Sequence, residues 1–198
     1  MKTFSTNIAF IDMLFNMLIL MTTMFFLSLM LVNPVAKDGI VTPTVAMMIE
    51  MSWDDESNTD IDLYVKTPTG DVTYYASKEN PPAFLERDDL GWSNDKYILN
   101  GEEVIVERNY EVISLSDLPD GEYFVSVHGF SIPEDAFIDV TVSATLMQPF
   151  SELYFNTIPV KDHQEVGVLS FVVQDGAVID VYDTLDVKLR PSAKTSGP

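Results

Sequence analysis

Residues Ile8 to Val32 read IAFIDMLFNMLILMTTMFFLSLMLV, 25 residues with one charged side chain, Asp12. As an α-helix the run spans roughly 37 Å at about 1.5 Å per residue, and about 20 apolar residues suffice to cross a bilayer. A cleaved signal has a shorter apolar core, about 7–15 residues, before small residues at the cut. This run is longer, holds an acid, and ends in Asn33-Pro34-Val35-Ala36, which puts Pro at the −3 position of a cut after Ala36. It reads as a retained membrane anchor. Lys2 and the terminal amine precede it, whereas Lys37 beyond it is offset by Asp38. The positive-inside tendency then favours a cytoplasmic N-terminus with the rest of the chain outside.

Charge divides the chain at the same place. Residues 1–36 hold one base and one acid, so the whole net charge of −20 falls on residues 37–198, with 10 basic and 30 acidic side chains. A segment of that size is long enough for one buried core. Its acidity points away from nucleic acid and anionic lipid, which need Lys and Arg. The chain has no Cys, which excludes disulfides and thiolate metal sites.

The expected organisation is a lead at 1–7, the helix at 8–32, a linker at 33–44 with Pro34, Gly39 and Pro43, a domain at 45–190, and a disordered polar tail at 191–198. From Val45 the hydrophobic period becomes two: Val45, Met47, Ile49, Met51 and Trp53 alternate with other residues, then Ile61, Leu63 and Val65 with Asp60, Asp62 and Tyr64. Pro68-Thr69-Gly70-Asp71 turns that strand into Val72–Ala76. Ser77–Lys96 reads as a long polar loop. Strand-like runs follow at Val104–Val106, Tyr110–Leu115, Tyr123–His128, Phe137–Leu146, Leu153–Ile158, Val166–Val173 and Ala177–Tyr182, with Leu185–Leu189 as one more short candidate. Asp175-Gly176 marks a hairpin. The fold class expected is one N-terminal transmembrane helix followed by an all-β antiparallel sandwich, jelly-roll-like.

Projected at about 100° per residue, Asn16 falls some 40° from Asp12 and Thr23 some 20°, so the three form one stripe. An acid within hydrocarbon costs about 2.5–3.5 kcal/mol on insertion scales and faces protein or water, often on an ion path. The alternative places Asp12, only four residues inside the run, at the interface near the positive end of the helix dipole. Asn16 and Thr23 are then packing contacts.

The run Phe10-Ile11-Asp12-Met13-Leu14-Phe15-Asn16-Met17-Leu18 resembles the start of the single helix of the ExbD/TolR family, roughly F-I-D-x-x-x-x-L, with the flagellar stator protein MotB a more distant relative. The resemblance covers about 25 residues, the helix alone. It implies an inner-membrane subunit of a proton-driven (or sodium-driven) motor with a periplasmic or extracellular domain, in which Asp12 carries the ion. It implies as partners a multi-span ExbB/TolQ/MotA-like subunit, a homodimer within a five-to-two assembly, and an envelope target. The domain departs from that family, whose periplasmic parts are mixed α/β.

Asp60 and Asp62 share one face of a strand, and Asp88 and Asp89 follow in the long loop. Hard oxygen ligands of this kind suit Ca²⁺, although no EF-hand spacing occurs, and in a domain this acidic a solvated surface is the simpler reading. Thr59-Asp60-Ile61-Asp62-Leu63-Tyr64-Val65-Lys66-Thr67-Pro68-Thr69-Gly70 resembles a D-x-D-L-x-V-x-x-P-x-G pattern of YfaP-like and pre-peptidase C-terminal β-sandwich modules. That resemblance implies a sandwich with a binding or adhesion role. Trp53, Trp92, Tyr74, Tyr75 and Phe84 are candidates for a binding surface or for core filling. His128 in a strand and His163 in a turn stand without G-x-S-x-G, H-E-x-x-H, P-loop or G-x-G-x-x-G motifs, so the chain reads as no enzyme. Beside the motor stands a second expectation: a tethered acidic sandwich that binds protein, glycan or calcium, with the helix only as its anchor.

Overall fold

A computed structural model describes residues 6–32, 45–106, 108–183 and 186–191. The expected linker at 33–44, most of the lead and nearly all of the tail lie outside them. The chain divides into two compact units, residues 1–42 and 43–198.

The first unit is one helix, α1 (Thr6–Val32). Ile8–Leu29 has a mean hydropathy of 1.9, and every described side chain of the helix is exposed. It is long and apolar enough to span a membrane. A helix suits that solvent because its backbone groups bond to one another and leave few exposed to lipid.

The second unit is an antiparallel sandwich. One sheet has the order β11 (Phe150–Lys161), β10 (Phe137–Met147), β1 (Met47–Ser52), β8 (Tyr110–Leu115), β5 (Ala83–Arg87) and β4 (Glu79–Asn80). The other runs β13 (Ala177–Asp183), β12 (Glu165–Gln174), β9 (Gly121–Ser131), β2 (Asp60–Lys66) and β3 (Val72–Thr73). Period-two alternation makes the core. Ile49, Met51, Ile113, Leu115, Val140 and Val142 from the first sheet meet Ile61, Leu63, Val65, Val125, Val127 and Phe171 from the second. Tyr123 stacks on Phe171 at 4.5 Å between ring centroids.

Several expectations need correction. Ser77–Lys96 is not wholly a loop: β5 pairs with β8 and extends the first sheet, so tertiary pairing rather than local alternation makes it a strand. The second strand of the β2–β3 hairpin stops at Thr73, because Tyr74 to Ser77 closes a tight turn with reciprocal backbone bonds. Leu185–Leu189 supplies no strand among its described residues; instead Leu189 and Arg190 donate their N–H groups to Glu165 Oε1. A separate hairpin, β6 (Lys96–Leu99) and β7 (Glu102–Ile105), stands apart from both sheets.

Two details position the site. First, β3 pairs with β2 only at Val65 and Lys66, so the other half of β2 is open along that side. Second, β9 passes close to β11 at Gly129, where a Cβ would lie 2.4 Å from the Lys161 carbonyl oxygen and 2.7 Å from Ile132 Cδ1. Gly129→Ala must displace backbone, so it is expected to destabilise the sandwich by about 1–3 kcal/mol. Both tryptophans, Trp53 and Trp92, lie in the sandwich, so their fluorescence during thermal unfolding reads this directly. An unchanged melting temperature would show that the β9–β11 approach is slack.

Candidate functional site

Five carboxylates gather at the open side of β2. Alternation sends Ile61 and Leu63 into the core and Asp60 and Asp62 to the other face of the strand. Asp88 and Asp89 follow β5 directly. Glu111 comes from β8, in phase with the core residues Ile113 and Leu115. One oxygen each of Asp62, Asp88 and Glu111 lies within 4.8 Å of the others.

Their hydrogen bonds sort them into roles. Glu111 is fully buried and accepts the Leu63 N–H on Oε2 at 2.8 Å and the Asp89 N–H on Oε1 at 3.2 Å. It therefore ties the open half of β2 to the loop after β5. Asp89 braces that loop: Oδ1 accepts the Gly91 N–H at 3.0 Å, and Oδ2 accepts Arg87 Nη2 at 2.9 Å and the Tyr110 N–H at 3.3 Å. With both oxygens engaged, Asp89 has little left to offer an ion. Asp88 spends Oδ2 on Lys78 Nζ at 2.8 Å. Asp88 Oδ1 and Asp60 Oδ1 are buried with no donor among the described residues.

Asp62 is oriented from behind. Its Oδ2 lies 3.3 Å from His128 Nδ1, and His128 Nε2 lies 3.0 Å from Arg190 Nη1. A guanidinium only donates, so Nε2 accepts and Nδ1 carries the proton that goes to Asp62. His128 is thus buried and occupied at both nitrogens, which removes it as a metal ligand.

Burial, reinforced by Asp62, Asp88 and Asp89, pushes the Asp60 carboxyl up to about 7. Burial likewise holds Glu111 well above the ordinary range, with Asp62 and Asp88 adding to it and the Leu63 and Asp89 N–H groups opposing. Carboxylate oxygens with no donor in a dry pocket are costly as anions. A hard cation reverses that penalty, and Ca²⁺, with six to eight oxygen ligands, fits a set of aspartates and a glutamate with no sulfur or free imidazole.

Of the residues expected from sequence, Asp60, Asp62 and Asp88 come together, and Asp89 stands beside them as a brace. Glu111 was not among them. Its signal was an acid in register with inward-facing Ile113 and Leu115. Asp54 accepts the Glu56 N–H within its own turn, and Asp55 accepts the Asn109 N–H of the segment before β8. His163 is exposed next to Asp162. The aromatics do not form one surface. Trp53 is buried and Trp92 exposed, and Phe84 lies on β5. Tyr74 stacks on buried Tyr64 at 5.1 Å, and Tyr75 packs edge-on against Phe130.

On α1, Thr23 Oγ1 donates to the Ile19 and Leu20 carbonyls, both at 2.9 Å, and Thr22 Oγ1 to Leu18 at 2.7 Å. Such bonds satisfy the hydroxyls inside the helix. Asp12 and Asn16, one turn apart, have no side-chain partner among the described residues.

Comparison of this chain with protein-family models, with curated proteins and with solved structures finds no match.

The acid cluster sets a pH dependence. Asp60 rises from 3.8 to about 7 on folding, so between those values the folded state binds more protons than the unfolded state. Stability therefore falls as pH rises from about 4 to 7 and levels off above. With a chelator present, the melting temperature is expected to drop between pH 5 and 7.5, and Asp60→Asn to flatten the slope. A full slope in that variant would assign the effect to Glu111 alone.

Proposed function

We propose that the chain is the single-span subunit of an ion-driven membrane assembly of the ExbD/TolR/MotB kind, with Asp12 as the proton-carrying acid and the sandwich as the part that engages a target outside the membrane. The observation that carries this reading is the pair Asp12 and Asn16. Among the described side chains of α1, Thr22 and Thr23 bond to their own backbone, Ser28 stands alone, and Asp12 and Asn16 are the two unsatisfied polar groups that lie one turn apart. An unpartnered acid at membrane depth costs about 2.5–3.5 kcal/mol, which a polar neighbour or water relieves. One helix encloses no pore, so the neighbour is another subunit, and a multi-span protein of the ExbB/TolQ/MotA kind fits. The Phe10-Ile11-Asp12 start supports the same reading. Its location is then the cytoplasmic membrane, with the N-terminus inside.

Each protonation change at Asp12 alternates the residue between a neutral form that tolerates an apolar sleeve and a charged form that requires water or a polar partner. Moving one charge across 100 mV is worth about 2.3 kcal/mol, and that supplies the work. Asp12→Asn keeps the shape and removes the titration. It is expected to abolish ion-coupled activity while membrane insertion and co-purification with the multi-span subunit persist. Full activity in Asp12→Asn would overturn the proposal.

The tether reading has an observation of its own, the orphaned oxygens of Asp60 and Asp88. In it the sandwich is a calcium-binding module and α1 only an anchor. Asp60, Asp62, Asp88 and Glu111 would hold the ion. Saturation at 100 times Kd stabilises a fold by about 2.7 kcal/mol. Added Ca²⁺ is therefore expected to raise the melting temperature of the sandwich by several degrees. Asp60→Asn/Asp88→Asn should erase that response. Asp60→Asn alone should raise the melting temperature in chelator at pH above about 7, since a carboxylate with a donorless oxygen is gone, whereas Asp88→Asn also gives up the Lys78 ion pair. No calcium response in the unaltered chain would remove the site.

A further inference from the structure

The β6–β7 hairpin lies outside both sheets, and all four β6 residues are exposed. Tyr97, Ile98, Leu99 and Ile105 are 48%, 69%, 54% and 52% exposed, and Trp92 beside them 55%. A lone two-stranded hairpin is marginally stable in water, and one covered with apolar side chains presents open edges that recruit another strand.

The register says which edge is competent. Leu99 pairs with Glu102 across the Asn100-Gly101 turn, whose φ values of 54° and 87° mark it as the two-residue type that requires positive φ at both positions. The residues flanking such a turn exchange both hydrogen bonds, and that pattern alternates along an antiparallel ladder. The Val106 N–H bond to the Asp95 carbonyl at 2.9 Å keeps the same phase. Leu99 and Tyr97 therefore spend their peptide groups on β7, whereas Ile98 and Lys96 point theirs outward. On β7 the outward peptides are those of Glu103 and Ile105.

Charge then selects the occupant. Pairing β7 with a copy of itself about Glu103 sets two glutamates opposite each other, and about Ile105 it opposes Glu103 to Glu107. Like charges directly opposite destabilise a sheet. β6 holds no acid. An antiparallel pair centred on Ile98 sets Ile98 against Ile98 of the second copy, Tyr97 against its Leu99, and Lys96 against the uncharged Asn100. Lys96 disfavours a basic strand as occupant, and the tip carboxylates Glu102 and Glu103 disfavour burial in lipid.

We propose that the β6 edge pairs antiparallel with the β6 edge of a second copy of this chain, about a two-fold axis through Ile98, joining the two hairpins into one four-stranded sheet. The Ile98 N–H and C=O supply the central pair of hydrogen bonds. Aromatic–aliphatic pairs of Tyr97 with Leu99 flank it on both sides. Both sandwiches are acidic, so their approach is repelled at long range and the contact strengthens as salt shortens the Debye length.

The chain has no cysteine, so single thiols report without background. Ile98→Cys, Ile105→Cys on the other edge and Ile179→Cys on β13 are prepared in the full chain in detergent and treated with a short bismaleimide. Ile98→Cys is expected to give at least about fivefold more linked dimer than either control, because the two-fold axis holds its thiols together at high effective concentration. The yield should rise with salt. Equal yields at the three positions, or a higher yield at Ile105→Cys, would overturn the pairing. Adding Lys96→Pro to Ile98→Cys removes an outward N–H and no backbone bond within the hairpin, while Lys96→Ala, which loses the same exposed ion pair with Glu103 but keeps the N–H, is its control. The Pro variant should bring the yield to control level with an unchanged far-UV spectrum, and the Ala variant should not. An undiminished yield in the Pro variant would also overturn it. So would anionic vesicles that shift Trp92 emission to the blue and suppress the Ile98→Cys dimer, which would make the hairpin a lipid contact.

Discussion

The end of the sandwich that carries the acid cluster depends on one buried side chain. Glu111 points inward from β8, where its neighbours on the same face are Ile113 and Leu115, and its two oxygens take the N–H groups of Leu63 and Asp89. Neither N–H has a strand partner, since β3 is too short to cover this half of β2 and the chain after β5 has left the sheet. Each would otherwise be an orphaned donor at a cost of about 1–3 kcal/mol. A neutral side chain could satisfy one of them. Only a group with two acceptor oxygens at fixed separation satisfies both and so joins the two sheets through the loop. The surrounding acids are the consequence: Asp60, Asp62 and Asp88 are brought near a carboxylate that has to stay.

The same carboxylates create the conflict a cation resolves. Burial favours the neutral form of Asp60 and Glu111, and the neighbouring carboxylates add to it, while within the cluster Arg87 reaches Asp89 and Lys78 reaches Asp88. His128 and Arg190 form a relay that holds Asp62 in place without contributing a ligand. A proton and a divalent ion are therefore alternative ways to quiet one pocket, and stability in the two states has opposite dependence on pH.

Much of the sandwich was legible because its strands are long. β1 and β10 show the period of two that one wetter and one dry face impose, while β2, β9 and β12 are buried on both faces through their middles and were legible as apolar or alternating runs between turns. β5 and the β6–β7 hairpin were harder. β5 is a short strand between β8 and the two-residue β4 whose pairing with β8 is a tertiary fact, and β6–β7 has no core to alternate against. Of the hairpin, the run Val104–Val106 was expected and overlaps β7, and the local signal for β6 was the Asn100-Gly101 turn that follows it. In the cluster, Asp60, Asp62 and Asp88 were visible as clustered acids, but the acids that hold the site differ from those that brace it. Asp89 and Glu111 could be told apart only by which backbone donors each meets. On the helix, Thr23 shared a stripe with Asp12 by angle alone, and the local bond of its hydroxyl to the preceding turn is invisible to angular projection.

The placement of β1 has a mechanical consequence. It is the first strand of the sandwich, and it lies in the middle of its sheet, matched by six residue pairs to β10 on one side and six to β8 on the other. A pull delivered through the preceding chain runs along the strand, so it loads both ladders in shear and all their bonds must yield together. The C-terminal segment is attached differently, through Leu189 and Arg190 on Glu165, and a pull from that end peels contacts one after another. The domain is thus a stiff coupling when drawn by its N-terminal side and a soft one when drawn from the other.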